Sequence, residues 1–321
     1  MHDINQLPIL ILAYNRYDKF TRCINTLHRN GARKFFISID GPRNDSDKQN
    51  QRKIYNYCIN NNLKSEIIIN HFNLNFGCRL GPINGINWFF KNNKYGVILE
   101  DDLIVSNECL EIFCYLLQNN INSKKFMSIS SFNEYATSNI ENLYSMPIWR
   151  SWGWASWAHM WNKHIHFSNK IKKYSLWQLY NLLPYQLRSI ETVKILKACQ
   201  LNLMDAWDYE FNFSHIVNSY RSLTLGGINN YVYGFDNSAT HTINPESLDI
   251  DFNLFNKTKI NKLLILESDY KKSRLILKKC GYFYSQNRNI IKISFDFLSS
   301  KFFLIFLHIR ILKRNIFKYL T

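Results

Sequence analysis

From Pro8 to Glu100 the chain alternates between two kinds of segment. Short runs dense in branched apolar residues, PILILAY (8–14), KFFISID (34–40), SEIIINH (65–71) and Tyr95 to Leu99, read as strands buried on both faces. Between them lie longer stretches of mixed character, Lys19 to Asn30, Gln51 to Asn62 and Gly81 to Lys91, which fit helices. The predicted order, β-α-β-α-β-α-β, is the signature of a parallel sheet with helices on both faces. No internal repeat or low-complexity linker interrupts it.

In such sheets ligands bind beyond the carboxyl ends of the strands. Polar clusters follow three of the predicted strands: Asn15-Arg16, Asp40-Gly41 (opening the predicted loop GPRNDSD) and Glu100-Asp101-Asp102. The three are expected to meet in one crevice. The last, within VILEDDLIV, needs an explanation of its own, because adjacent carboxylates repel and partial burial raises the cost. A solvated loop, or Asp102 as the N-cap of a following helix, is one reading. A divalent cation, magnesium or manganese, is the other: it removes the repulsion and keeps places for water and substrate phosphates. No GxGxxG follows the first strand and no GxxxxGK[ST] occurs anywhere. A Rossmann dehydrogenase or P-loop kinase therefore fits poorly, and phosphate charge has to be met by metal and basic side chains.

Composition narrows the picture only slightly. The 321 residues are 46% hydrophobic and 16% aromatic, enough for a substantial globular core. Seven cysteines without a CxxC pair argue for reduced thiols rather than zinc or a disulfide framework. The start, MHDINQLPILILAYNR, reads as neither signal peptide nor membrane span, and the abundance of Asn, Ile, Lys, Phe and Tyr suggests an AT-rich bacterial gene. A net charge of +16 admits nucleic acid, an anionic membrane or an acidic substrate. No nucleic-acid-binding motif accompanies it, so nucleic acid ranks last.

Several motifs in order carry a resemblance: PILILAYNR, ISIDG, NFGCRLGPINGINWFF, VILEDDLIVS, SWGWASWAHMW and AWDYEF. From about Pro8 to His241 the chain resembles glycosyltransferases of the GT-A fold, in particular the family of N-acetylglucosaminyltransferase I and its bacterial surface-polysaccharide relatives. The resemblance implies an α/β fold, a Rossmann-like mixed sheet flanked by helices, over residues 1–250. A helical, basic C-terminal extension over 251–321 lies beyond it. It implies an inverting, metal-dependent transfer from a UDP-sugar to a glycan or lipid-linked oligosaccharide. A retaining transferase, a nucleotidyltransferase and a non-catalytic glycan- or membrane-binding protein are the alternatives. The site residues follow by position. Asp102 is expected to hold the metal, with Glu100 and Asp101 at the ribose and the metal's outer shell. Asp40 is expected at the base N–H, and Asn15, Arg16 and Arg79 at the nucleotide or its phosphates. Trp152, Gly153 and Trp154 are expected to form a wall beneath donor sugar and acceptor, and His241 to touch the diphosphate or metal.

Single displacement also needs a carboxylate to take the acceptor's proton. Asp205 and Asp208 in NLMDAWDYEF are the candidates; Asp208 is preferred because it follows Trp207 as in the resembled motif, with Glu210 as the fallback. The terminal stretch SSKFFLIFLHIRILKRNIFKYLT carries five basic residues and no acid, and its apolar run is too short to span a bilayer. It reads either as a helix packed on the domain or as a basic segment lying on an anionic membrane. The expected location is cytoplasmic, peripheral on the inner membrane face in the second case.

Overall fold

A computed structural model describes residues 3–60, 63–132, 142–226, 230–232 and 264–267. His241, the loop around it and nearly all of 251–321 lie outside the described residues, and with them the membrane reading of the C-terminal segment.

The apolar runs form the strands they predict: β1 (Pro8–Ala13), β2 (Lys34–Ile39), β3 (Glu66–His71) and β4 (Tyr95–Glu100). β1 pairs in parallel with both β2 and β4, and β2 with β3. The intervening helices are α1 (Tyr17–Arg29), α2 (Asp45–Asn60) and α3 (Gly77–Asn92). After β4 come the short β5 (Leu103–Val105) and α4 (Asn107–Asn119), whose N-cap is Ser106 rather than Asp102. The second half adds β6 (Phe126–Ser130), β7 (Asn142–Met146), β8 (Trp154–Trp157), α5 (Ala158–Ile171), α6 (Leu176–Leu182), α7 (Ile190–Gln200), α8 (Asp208–Val217), β9 (Arg221–Leu225), β10 (Asn230–Val232) and β11 (Leu264–Glu267).

The main sheet has nine strands in the order β11-β7-β9-β6-β8-β4-β1-β2-β3, and β5 and β10 form a separate antiparallel pair. The sheet is mixed: β8 runs antiparallel to both β4 and β6, and β7 antiparallel to β9. β11 lies within the stretch read as a C-terminal extension, yet it pairs in parallel with β7 at the sheet edge. From β1 the chain steps outward through β2 and β3, then returns to place β4 on the opposite side of β1. The strand order therefore reverses between β1 and β4, where open α/β sheets leave a crevice.

One core cluster fills the sheet faces and takes in Trp149, Trp154, Trp157 and Trp161. A second, built from Ile171, Leu179, Leu183, Val193, Leu196 and Phe213, joins α6 and α7 to α8. Two buried histidines bind the parts together. His164 Nδ1 lies 2.7 Å from Ser214 Oγ, and His215 Nε2 lies 2.8 Å from Ser128 Oγ. Burial holds His164 down at about 3 and His215 at about 4. Both stay neutral in the fold while the unfolded chain takes up protons near pH 6.5, so their contribution is present above about pH 6.5 and is lost as pH falls. His164→Gln is expected to flatten the stability–pH curve between about pH 6 and 4.5 by on the order of 1 kcal/mol per pH unit. Urea melts at several pH values measure this, and parallel wild-type and variant curves would exclude it.

Candidate active site

The β1–β4 switch point holds two of the three predicted clusters in direct contact. Arg16, just after β1, places its guanidinium on the acids that follow β4. Nη1 donates to Asp102 Oδ2 at 2.9 Å, and Nη2 bonds Asp101 Oδ1. The Tyr14 N–H approaches the other Asp101 oxygen at 3.4 Å. Asp101 is fully buried and Asp102 nearly so. Burial pushes the Asp101 carboxyl up against the opposing pull of Arg16, with Asp102 adding to the rise. Burial also raises Glu100 strongly, followed by the charge of Asp102; Arg16 opposes this, and Asp101 and Asp208 add smaller pushes. Asp208 therefore lies within charge–charge reach of Glu100, although they are far apart in sequence.

The donor set suits a shared metal better than a closed protein site. Among the described residues no group of three His, Cys, Asp or Glu side chains is arranged to hold a metal by itself. The hard carboxylate oxygens of Glu100, and of Asp101 and Asp102 on Arg16, are instead of the kind a divalent ion takes when it completes its shell with water and phosphate oxygens.

The remaining predicted residues have more definite jobs than the sequence showed. Asp40, expected at a nucleobase, turns its carboxylate onto the start of α3. It accepts the Phe76 and Gly77 N–H groups at 2.9 Å each and the Asn75 amide at 3.1 Å. Burial raises its carboxyl despite these bonds. Asp205 reaches the same helix end from the far half of the chain, accepting Cys78 N–H at 2.9 Å and Arg79 N–H at 2.6 Å. Phe76, the N-cap residue, offers no side-chain cap, so two distant carboxylates satisfy α3's first donors. Gly77 makes this approach feasible. Its φ is +79°, and a Cβ there would stand 2.7 Å from Asp205 Oδ2.

Arg79, expected to face the nucleotide, points into the protein. Nε and Nη2 bond Glu210 Oε1 at 3.1 and 2.5 Å, and Nη1 bonds Asn202 Oδ1 at 2.8 Å. A buried carboxylate demands a partner, and this one takes the arginine. Glu210 also accepts the Ser168 hydroxyl, so the fallback base has no free face for a substrate. Asp208, by contrast, is half-exposed at the first position of α8.

The tryptophan-rich segment differs most from its expected role. Trp154 is a core residue of β8, within 4.9 to 6.2 Å (ring centroids) of Trp149, Trp207, Phe211 and Trp161. Trp207, immediately before Asp208, joins the same stack at 5.3 Å from Trp149. The rings thus form a rigid bed beneath the start of α8 rather than a wall exposed to sugar. Asn212 fastens it, its amide bridging the Trp149 N–H at 2.8 Å and C=O at 2.9 Å. Trp152 is half-buried, edge-to-face on Phe132 at 4.6 Å. Gly153, at φ +74°, makes the turn into β8 and accepts the Ser131 N–H at 2.9 Å.

One site residue went unread in the sequence. Asp47, placed in a loop by the reading of GPRNDSD, is a buried residue in the first turn of α2. Its carboxylate collects Tyr14 Oη and Asn15 Nδ2, each at 2.5 Å, and Arg43 Nε at 3.0 Å. Burial alone would raise this carboxyl, but the bonds from Arg43, Tyr14 and Asn15 hold it well below the usual carboxylate range. Asn44, whose Oδ1 accepts the Asp47 N–H at 2.9 Å, is the N-cap signal that marks the earlier helix start.

No family model matches the chain, and no curated protein matches it. Solved structures resemble it in chain path. S. aureus TarS (residues 1–349) aligns at TM-score 0.40 and 13% identity, over 71% of this chain and 60% of that one. The mannosyltransferase PcManGT from Pyrobaculum calidifontis, in complex with GDP-Man and Mn2+, aligns at TM-score 0.37 and 9% identity, over 70% and 55%. HddC from Yersinia pseudotuberculosis aligns at TM-score 0.35 and 10% identity, over 71% and 93%. The chain thus spans less than two thirds of the first two.

Proposed function

We propose that the chain is a glycosyltransferase that moves a sugar from a UDP-sugar to a glycan or lipid-linked acceptor with inversion. The observation that supports this most is the pairing of two features across one crevice. A carboxylate cluster, Glu100-Asp101-Asp102, sits at the strand-order reversal, and a separate acid, Asp208, opens α8 near enough for its charge to add a small push to Glu100. The first suits a donor diphosphate shared with a metal held by Asp102. The second suits an acceptor hydroxyl.

In the proposed reaction the acceptor oxygen attacks the anomeric carbon as the carbon–oxygen bond to the diphosphate breaks on the opposite face. Asp208 takes the hydroxyl proton as the new glycosidic bond forms. A bound divalent ion supplies charge stabilisation to the departing diphosphate. Trp207, Phe211 and Asn212 keep the base in register by anchoring its segment in the aromatic core. Arg16 holds the cluster's charge in check before donor and metal arrive.

A thermal-shift screen of nucleotide sugars, with and without manganese, tests the reading. One UDP-sugar is expected to raise Tm in the presence of manganese alone, since ligand at 100 times Kd adds roughly 2.7 kcal/mol of stability. A screen in which no nucleotide sugar shifts Tm, with or without metal, would refute the proposal. Among the described residues no helix is long and apolar enough to cross a membrane.

A further inference from the structure

A nucleoside diphosphate entering this crevice meets the carboxylates of Glu100, Asp101 and Asp102, with those of Asp40 and Asp205 at the nearby head of α3. No glycine-rich turn after β1 offers a row of backbone N–H groups to phosphate. The arginines expected to serve are committed elsewhere, Arg16 to Asp101 and Asp102, and Arg79 to Glu210 and Asn202.

Arg43 is placed differently. It stands between β2 and α2 with 59% of its side chain exposed. Its Nε and backbone N–H both bond Asp47 Oδ2, at 3.0 and 3.2 Å, while Nη2 stands 3.5 Å from Oδ1. Its guanidinium carbon lies 5.0 Å from the centroid of the Tyr14 ring. Asp47 balances the charge of Arg43, and Tyr14 and Asn15 add only neutral donors to the same carboxylate, so what sets Arg43 apart is the exposed outer edge of its guanidinium. The guanidinium is therefore pinned along one edge and over one face, with its outer edge open. That is the posture for forked contact with phosphate oxygens, and its rotamer freedom is already spent. Its place is set by the segment that follows β1: Tyr14, whose ring it covers, turns its backbone N–H to Asp101 at 3.4 Å, and Asn15 shares the Asp47 carboxylate with it. Arg43 thus stands beside the residues at the β1 end of the crevice.

The geometry points to Arg43, pinned by Tyr14 and Asp47, as the side chain that binds the diphosphate of the donor nucleotide. This rests on the transferase reading above and names the phosphate-facing donor that reading lacks. Asp47, Tyr14 and Asn15 are then positioning residues, acting on phosphate only through Arg43.

Titration calorimetry on the full chain with manganese tests it, using UDP, UMP and uridine, the corresponding guanosine series, and inorganic pyrophosphate as competitor. Wild type is expected to prefer the diphosphate. Arg43→Met should weaken diphosphate and pyrophosphate binding by about 10- to 100-fold, the worth of a charge-assisted contact, and leave the nucleoside unchanged. Arg43→Lys should fall between. Arg43→Met is expected to melt somewhat lower, because the buried Asp47 carboxylate keeps Tyr14 and Asn15 but loses its charged partner, and Arg43→Lys less so; binding is therefore compared at a temperature where both variants are folded. Equal losses for diphosphate and nucleoside would overturn the proposal in favour of a base contact. Full retention of diphosphate preference in Arg43→Met would overturn it outright. A wild type that binds no nucleoside diphosphate would instead refute the transferase reading, before any variant is made.

Discussion

Replacing Asp208 by Asn is expected to lower kcat by roughly 10²–10⁴-fold, the usual cost of losing a general base. Donor affinity should change little, because the lost interaction forms only as the acceptor proton moves. Structural damage is a weak alternative explanation. Asp208 is the half-buried first residue of α8, and Asn keeps its volume while giving up only a first-turn charge worth about 0.3–1 kcal/mol. Its neighbour Trp207 remains in the aromatic bed whichever residue follows it. Asp205→Asn is a control of known character, since that carboxylate caps α3 through Cys78 and Arg79. It should cost up to about 1 kcal/mol of stability and leave kcat near normal. Steady-state transfer rates and donor titrations on both variants decide the matter. Near-normal turnover in Asp208→Asn, with a large loss in Asp205→Asn, would move the base by three positions. Normal turnover in both would remove the base from this segment.

The first half of the fold was legible because its strands are buried on both faces and so appear as unbroken apolar runs. β1, β2 and β4 start where their runs start and end within a residue or two of the sequence reading. The polar clusters at their ends were legible for the same reason, and Arg16 does meet Asp101 and Asp102. The second half was not read, because short strands interleave there in mixed directions and their neighbours are far away in sequence. β8 lies between β4 and β6, an order no local pattern encodes. Side-chain roles were lost for a related reason. Arg79 resembled a nucleotide ligand until its partner, Glu210, was brought to it from 131 residues away. Trp154 resembled a sugar platform because tryptophan's composition signal is the same in a cleft as in a core. Asp47 was the opposite case: the Asn44 cap signal was local, and reading the segment as loop hid it.

Asp102→Ala is expected to abolish manganese-dependent nucleotide binding, and its effect on stability should run opposite to that of most buried substitutions. Asp102 is 7% exposed, yet its carboxylate belongs to a repelling cluster rather than to apolar packing. After burial itself, its charge is the largest push on Glu100, and it also raises Asp101. Carboxyls whose proton affinity is higher in the fold than in the unfolded chain destabilise the fold when ionised, and that cost shrinks as pH falls and they take up protons. The metal-free wild type therefore carries its largest cluster penalty toward about pH 8, and a bound cation relieves it there without first displacing protons. Manganese should raise the wild-type Tm more at about pH 8 than at about pH 6. The metal-free Asp102→Ala protein should melt no lower than wild type at the higher pH, since Arg16 keeps its bond to Asp101. Thermal melts at the two pH values, with and without manganese and UDP, test both statements. A variant that retains the full manganese-dependent UDP shift would remove Asp102 as the ligand. A wild-type manganese shift that grows as pH falls would show that the raised carboxyls are not where the cation binds.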